Sequence, residues 1–190
     1  CRQLLLTAFH CADAVGNDEW GYFKVRFNYE YLECGGLQSV NSHTKTGVVL
    51  ITSSDDASFQ GFSGSDFLLV EVEDPINPDW NPFYAGWDAS GTNGTQGVGI
   101  HHPSGDRKKI STYTQSLTSS SIGSPGSHWR VIWVETETNH GVTEGGSSGS
   151  PIYNEAHHIV GTLSSGASAC VNGGVGPGTG PNAPDYYGKM

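Results

Sequence analysis

The chain has 190 residues and a formal net charge of −10, from nine basic and nineteen acidic side chains. This acidic balance argues against a nucleic-acid-binding protein, because a phosphate-binding surface needs a basic patch, and no apolar run approaches the length of a membrane span. The 27 glycines, together with five Trp, eight Tyr and seven Phe, favour many turns and short strands over helices.

Four cysteines bear on the compartment in which the protein works. Cys1, Cys11, Cys34 and Cys170 show no CxxC spacing, so a zinc ribbon is not expected, and we predict no metal and no cofactor. Disulfide bonds in an exported protein are the favoured interpretation, with a local Cys1–Cys11 pair as one option among three connectivities. The alternative is four free thiols in a reducing compartment. No signal peptide is visible, and a chain that begins at Cys1 indicates a processed or trimmed amino terminus.

The first half of the chain contains four predicted strands. LLLTAF at 4–9 is an apolar run that ends at a histidine, and residues 22–33 alternate apolar and polar side chains, which is typical of a half-buried antiparallel strand. Residues 47–53 and 66–73 are predicted as two more strands. The segment 73–88 carries three prolines and no strand pattern, so we expect it to connect two β units.

The second half continues in the same way. Four further strands, each bounded by Gly, Ser, Asn, Asp or Pro, are predicted at 97–103, 128–137, 150–154 and 157–166. The tail 168–190 is rich in Gly and Pro and is expected to form a loop or a pocket wall. No amphipathic helix is predicted, so the fold class is all-β, a sandwich or a barrel.

The stretch TEGGSSGSPIY, residues 143–153, has the composition of a linker but runs directly into a bulky, strand-like segment. A serine nucleophile needs an adjacent base and backbone N–H groups aimed at the oxyanion. A glycine-rich turn can supply both geometries. We therefore predict Ser148 as the nucleophile and the N–H groups of Gly146 and Ser148 as the oxyanion hole, with a simple loop as the alternative.

Two other residues complete this interpretation. His10 directly follows a buried strand and is placed as a fixed general base, although it could be a structural histidine. Asp66 stands at the start of an apolar strand, where its carboxylate would need a partner such as an imidazole N–H. A turn-capping role for Asp66 is the alternative, and Asp55 and Asp56 are nearby candidates for the same function.

These three residues occur in the chain order His, Asp, Ser, which is the order of chymotrypsin-type proteases. TAFHC resembles the TAAHC box of trypsin-like serine proteases, SDFLLVEV resembles their Asp-x-x-Leu-Leu box, and GSSGSP resembles their GDSGGP box. The similarity extends to bacterial lysyl endopeptidases through FYAGWD, IHHPSGDRKKIS, GVTEGGSSGSPIY and DYYGK, and covers nearly the whole chain.

The resemblance implies two antiparallel six-stranded Greek-key barrels with the active site in the cleft between them. Residues 1–78 would form an incomplete first barrel with His10 and Asp66, and residues 79–190 the second barrel with Ser148. It implies a secreted, monomeric serine endopeptidase that hydrolyses peptide bonds through an acyl-enzyme, with protein or peptide substrates and no nucleic acid or membrane as partner.

The resemblance also implies a preference for basic residues before the scissile bond. Trypsins place an aspartate six residues before the nucleophile, where this chain has Val142, whereas the lysyl endopeptidases carry their acid before a Tyr-Gly pair, where this chain has Asp185. A buried carboxylate there selects Lys and, as a second substrate, Arg. Glutamyl endopeptidases of this fold carry a histidine where this chain has Leu163, which argues against cleavage after Glu. The remaining substrate-binding positions implied are Glu144, Ser164, Ser165 and Gly166.

The sequence departs from the family pattern at several points. Ser147 replaces the aspartate that pairs with the freed amino terminus in animal trypsins, so zymogen activation by that ion pair is not expected. The lysyl endopeptidases have a histidine at the position of Ser164. Relatives have further strands at both ends, so the chain resembles a truncated form in which Cys34 and Cys170 lack the partners expected for them.

Three other functions compete with the protease hypothesis. A trypsin-like domain can lose catalysis and serve as a binding or adhesion module, and a β-sandwich carbohydrate-binding module would explain the content of Trp, Tyr, Gly and Asn. A metalloenzyme is disfavoured because adjacent histidines on a strand point to opposite faces and no HExxH is present. Its candidate ligands would be His101, His102, His157 and His158.

Overall fold

The computed structural model describes residues 2–12, 14–16, 18–54, 64–122, 124–174 and 176–190. These residues form twelve β-strands, short 3₁₀ turns and loops, without an α-helix. The predicted all-β class is therefore confirmed. Within the described ranges there is no helix with the length and apolarity needed to cross a bilayer.

The first half of the chain builds two small antiparallel sheets. The strands are β1 (Leu4–Ala8), β2 (Lys24–Phe27), β3 (His43–Thr46), β4 (Val48–Ser53) and β5 (Phe67–Val72). The three-stranded sheet has the order β1-β5-β4, and β2 pairs with β3 in the other sheet. Val48, Leu68 and Val70 are buried together under the three-stranded sheet and form a small core with Ala12.

The second half builds one seven-stranded antiparallel sheet. Its strands are β6 (Gly97–His101), β7 (Lys109–Tyr113), β8 (Thr118–Ser120), β9 (His128–Val131), β10 (Pro151–Tyr153), β11 (Ile159–Gly166) and β12 (Asp185–Lys189). They lie in the order β7-β6-β10-β11-β12-β9-β8. The core of this half is larger and more aromatic, because Tyr113, Trp133 and Tyr187 pack edge to face at its centre.

The strand pairing shows antiparallel sheets, and no closed barrel is detected among the described residues. Among the described residues, β1 pairs only with β5 and β2 only with β3, and the incomplete first barrel stays a prediction. The second sheet has seven strands because the short strand β8 extends it beyond β9, and its two edge strands do not pair with each other. In the part of the chain that the structure describes, each sheet takes its strands from one side of the segment 73–88 only.

Several strand predictions need correction. The strand predicted over 22–33 ends at Phe27, because Asn28 adopts a left-handed backbone with φ of 57° that interrupts the extended conformation. The strand predicted over 128–137 ends at Val131. The carboxyl-terminal tail is not entirely loop, since Asp185–Lys189 forms β12, which lies between β11 and β9 inside the large sheet.

The cysteine prediction is tested only in part. Cys11, Cys34 and Cys170 are exposed and carry free thiols. Cys1 lies outside the described residues, and so do Asp55 and Asp56, the alternatives to Asp66. Disulfide bonding therefore stays a prediction.

Candidate active site

His10 and Asp66 are brought together where β1 ends and β5 begins. Asp66 Oδ2 lies 2.6 Å from His10 Nδ1, and Asp66 Oδ1 accepts a 2.9 Å hydrogen bond from the His10 backbone N–H. The Asp66 carbonyl accepts a further bond from the Phe9 N–H at 2.9 Å. Three contacts thus fix the histidine turn on the aspartate, and the imidazole presents its Nε2 edge away from the carboxylate.

The backbone of Asp66 is itself unusual. Its φ is 56°, in the left-handed region that only Gly, Asn and Asp visit readily. This conformation lets one residue use its carbonyl and both carboxylate oxygens on the segment Phe9–His10. A strained backbone maintained by surrounding contacts is typical of functional positions.

The pair is electrostatically coupled. The hydrogen bond to Asp66, followed by one to Cys11, raises the pKa of His10 above its usual 6.5 to about 10, against the opposing effect of burial. Burial would raise the pKa of Asp66, but hydrogen bonds from the His10 side chain, the His10 backbone and Ser164 lower it. The carboxylate is therefore held in its charged form and favours a protonated imidazole.

Ser164 connects this pair to the second half of the molecule. Its hydroxyl donates a 2.7 Å hydrogen bond to Asp66 Oδ2, the same oxygen that contacts His10. Ser164 lies on β11, so the large sheet supports the aspartate of the small one. We predicted Ser164 as a substrate-binding position, and the role of its hydroxyl on Asp66 was not predicted.

The loop that carries Ser148 packs against the end of β1. A β-carbon added at Gly149 would overlap Thr7 Oγ1 and lie 2.7 Å from the Ala8 nitrogen, so only glycine fits there. Gly149 has φ of 76°, and its N–H donates to the Leu163 carbonyl on β11 at 2.8 Å. Ser148 is half-buried, and its neighbour Gly149 packs against Thr7 and Ala8 at the end of β1, two residues before His10 in the sequence.

Two backbone N–H groups of this loop are available to a ligand. The Ser147 N–H donates to the Glu144 carbonyl at 3.0 Å, and the Gly149 N–H is paired as described. The N–H groups of Gly146 and Ser148 donate to no residue that the structure describes. Gly146 has φ of 91°, a backbone conformation that other residues rarely adopt. Two free N–H groups beside a serine hydroxyl have the donor chemistry of an oxyanion hole.

A groove with a volume of about 410 Å³ opens in front of this loop. One wall is formed by β1 and β2 of the first half, and the other by the segment Gly146–Pro151 with Ile100 and His102 of the second half. The serine loop therefore faces a concave surface between the two halves of the chain.

Asp185 lies at the start of β12 and is completely buried. Its Oδ2 accepts hydrogen bonds of 2.6 Å from the Trp133 indole N–H, the Thr143 hydroxyl and the Ser168 hydroxyl. Its Oδ1 accepts from the Ser168 backbone N–H at 3.0 Å. These donors are all neutral, and no lysine, arginine or histidine of the described ranges lies within ion-pair distance.

The other predicted binding residues surround this carboxylate unequally. Gly166 pairs with Asp185 across the sheet, and a β-carbon at Gly166 would overlap Asp185 Oδ1, so any side chain there would cover the carboxylate. Ser165 pairs with Tyr186 on the same two strands. Glu144 is separate from Asp185, because its carboxylate accepts from the Ser104 hydroxyl at 3.0 Å and contacts the Cys170 thiol.

Two of the four histidines considered as metal ligands have other side-chain contacts. Both ring nitrogens of the buried His101 contact hydroxyls, Ser147 Oγ at 3.0 Å and Ser111 Oγ at 2.8 Å, and His102 Nδ1 contacts the Asp106 carbonyl. Within the part of the chain that the structure describes, no three His, Cys, Asp or Glu side chains are grouped as metal ligands.

Sequence reasoning did not identify the residues that support the candidate site from outside it. They are scattered along the chain, and nothing in the sequence near each residue indicates its hydrogen-bond partner in the fold. Trp133, Thr143 and Ser168 hold the Asp185 carboxylate, His101 contacts the Ser147 hydroxyl, and Ser111 contacts His101.

A His–Asp pair from one β-sheet half beside a glycine- and serine-rich loop from the other defines an all-β protein of the chymotrypsin-like class. The chain matches the family "Lysyl endopeptidase, C-terminal domain" over residues 1–188. It therefore belongs to that family.

A curated relative supports the same assignment. The chain is 30% identical over 174 residues to the lysyl endopeptidase of Pseudomonas aeruginosa. The match covers 89% of this chain but only 35% of the relative, so the chain spans about a third of that protein's length.

Proposed function

We propose that this chain is a secreted, monomeric serine endopeptidase that cleaves protein or peptide substrates after Lys, and also after Arg. The observation that carries the proposal is the contact between His10 and Asp66 at 2.6 Å, beside a loop with a serine and two N–H groups that donate to no described residue. Residues 1–78 would contribute the base and its carboxylate, and residues 79–190 the nucleophile and the specificity site.

In this mechanism Ser148 Oγ attacks the carbonyl carbon of the scissile bond while His10 Nε2 takes its proton. The N–H groups of Gly146 and Ser148 bind the oxyanion of the tetrahedral intermediate. The C–N bond then breaks, His10 gives the proton to the leaving amine, and a serine ester remains. Water hydrolyses this ester with His10 again as base, and Asp66 stabilises the imidazolium in both half-reactions.

The environment of Asp185 supports the choice of a basic residue. The hydrogen-bond donors to the buried Asp185 are all neutral, and no cationic side chain of the described residues pairs with it, so a lysine or arginine side chain of a substrate would be a complementary partner. Gly166 lies against Asp185 Oδ1, where any larger residue would overlap this oxygen. An apolar residue before the scissile bond would leave the charge unpaired, so its cleavage is disfavoured.

The test is a panel of peptide amides that differ only in the residue before the scissile bond, namely Lys, Arg, Leu and Glu. We expect hydrolysis of the Lys and Arg amides, with kcat/KM for Leu and Glu at least about 10²-fold lower. Ser148→Ala is the control, because it removes the nucleophile and leaves the buried Asp185 unchanged.

The outcomes separate the parts of the proposal. Retained activity in Ser148→Ala would exclude that serine as nucleophile, and faster cleavage after Leu than after Lys would exclude the role of Asp185. A wild-type protein that neither hydrolyses any amide of the panel nor reacts with an organophosphonate would instead support a binding or adhesion domain without catalysis.

A further inference from the structure

Ser147 stands between the two N–H groups assigned to the oxyanion hole. The residue is 1% exposed, and its hydroxyl points into the second half of the molecule rather than into the cleft. Its Oγ accepts a hydrogen bond of 3.3 Å from the Glu144 N–H and contacts His101 Nδ1 at 3.0 Å. The side chain is thus an anchor that fixes the peptide units on both sides of it.

His101 is the other end of this anchor. It is the last residue of β6, is 1% exposed, and contacts the Ser111 hydroxyl on the neighbouring strand β7 through Nε2 at 2.8 Å. Burial lowers the pKa of His101 to about 4, with a smaller effect of the neighbouring His102, so the ring is neutral near pH 7. No step of the proposed peptide hydrolysis uses this histidine.

The hydrogen-bond pattern selects one arrangement of protons. Ser147 Oγ already accepts from the Glu144 N–H, so its own hydrogen is free to be donated to His101 Nδ1. The neutral ring then carries its proton on Nε2 and donates it to Ser111 Oγ. In the opposite tautomer the hydrogen of the buried Ser147 hydroxyl would have no acceptor among the contacts of the described residues, which is costly in the interior.

We propose that His101 is a positioning residue for the oxyanion hole, which it fixes through the Ser147 hydroxyl so that the Gly146 and Ser148 N–H groups converge on one point. This inference rests on the proposed hydrolase function. A hole whose donors are already aligned requires no reorganisation when negative charge develops. The network Glu144–Ser147–His101–Ser111 is neutral at its centre and is contained in the second half of the chain.

The proposal predicts an effect on kcat rather than on KM, because the oxyanion forms only after substrate is bound. His101→Phe keeps the ring volume but removes both nitrogens, and we expect kcat on a lysyl amide to fall about 10- to 100-fold with KM changed less than about twofold. His101→Asn retains an amide near the position of Nδ1, so we expect kcat within about fivefold of wild type.

His101→Gln and His157→Asn are the matched comparisons. The Gln amide extends toward Ser111 rather than Ser147, so kcat should fall as in the Phe variant. His157 is exposed and has φ of 61°, a conformation that asparagine tolerates well, so His157→Asn should leave kcat unchanged. Equal kcat in the wild type and the Phe variant, or a loss confined to KM, would overturn the proposal.

Amide NMR separates this inference from the proposed function. The ¹H–¹⁵N signals of Gly146 and Ser148 should shift in His101→Phe but not in His101→Asn, and the imidazole ¹⁵N shifts of His101 should report the Nε2–H tautomer between pH 6 and 8. If the wild type hydrolyses no lysyl amide, the proposed function fails while these signals still decide the positioning role. Unchanged Gly146 and Ser148 signals in the Phe variant would refute it. Should that variant not fold, Ser147→Ala gives the same kcat and NMR readouts.

Discussion

Asp66 and Asp185 are the same chemical group in two very different regions of the molecule. Asp66 lies at the boundary between the two halves with its side chain 12% exposed, and its partners include a titratable imidazole. Asp185 is completely sealed in the large sheet, and its partners are an indole, two hydroxyls and a backbone N–H. The donors decide what each carboxylate can do. The first contacts a group that can act as a base, whereas the second is held only by neutral donors.

The largest effect that this comparison predicts is at Asp66. In Asp66→Asn the carboxamide no longer stabilises the imidazolium and can favour the wrong tautomer of His10, so we expect kcat on a lysyl amide to fall on the order of 10⁴-fold. Steady-state kinetics would show the loss for Lys and Arg substrates alike. A loss smaller than about tenfold would show that Asp66 is not the partner of the base.

Asp185→Asn should act on specificity instead. Removing the charge leaves an incoming lysine ammonium without its counter-ion, and we expect kcat/KM on the lysyl amide to fall about 10²- to 10³-fold while that on the leucyl amide changes little. The exposed Asp79→Asn is the control with the same chemical change. A uniform loss over all substrates would mean that Asp185 supports the fold and not the pocket.

These two sites also differ in how far the sequence predicts them. His10, Asp66 and Ser148 lie in short local boxes, and the structure brings the first two into contact, although their catalytic role stays a prediction. The surroundings of Asp185 could not be predicted, because Trp133, Thr143 and Ser168 come from three distant segments that only the folded sheet joins. The periodicity that indicates a strand is a local property, whereas the donors around a buried charge depend on tertiary packing.

The strands of the fold, too, could be predicted only where the signal lies in the local sequence. Alternating or apolar runs such as Phe67–Val72 predict strands well, because the residues of both faces of a strand lie within one short stretch of sequence. The strand Asp185–Lys189 was missed because the chain before it is dense in Gly and Pro, and its place between β11 and β9 depends on pairing with remote segments. The alternating pattern continues past Asn28, but the strand ends there because Asn28 adopts a left-handed backbone. Asparagine tolerates this conformation, but its presence in the sequence does not predict it.

Ser164 should give a smaller effect, since it acts on Asp66 and not on the reacting atoms. Ser164→Ala removes one hydrogen bond of 2.7 Å to a carboxylate that keeps its contacts with His10. We expect kcat to fall about tenfold, the size of one hydrogen bond to a charged group. The exposed Ser116→Ala provides the comparison, and an equal kcat in the two variants would contradict a role for the Ser164 hydroxyl.

The smallest expected effect is a shift in the pH dependence of kcat/KM, caused by the pKa of His10, and not a loss of the maximal rate. Because the contact with Asp66 raises the pKa of His10 above 6.5, the neutral base forms late, and kcat/KM should rise with pH through a midpoint above 6.5. The same shift stabilises the fold fully below pH 6.5, and that contribution is lost as pH rises through the folded-state pKa. NMR titration of the His10 ring should give a lower pKa in Asp66→Asn, while Asp185→Asn leaves it in place, because Asp185 has no contact with the imidazole. An equal displacement in both variants would mean that His10 responds to the net charge of the protein and not to its bonded partner, and the distinction between the two carboxylates would then fail.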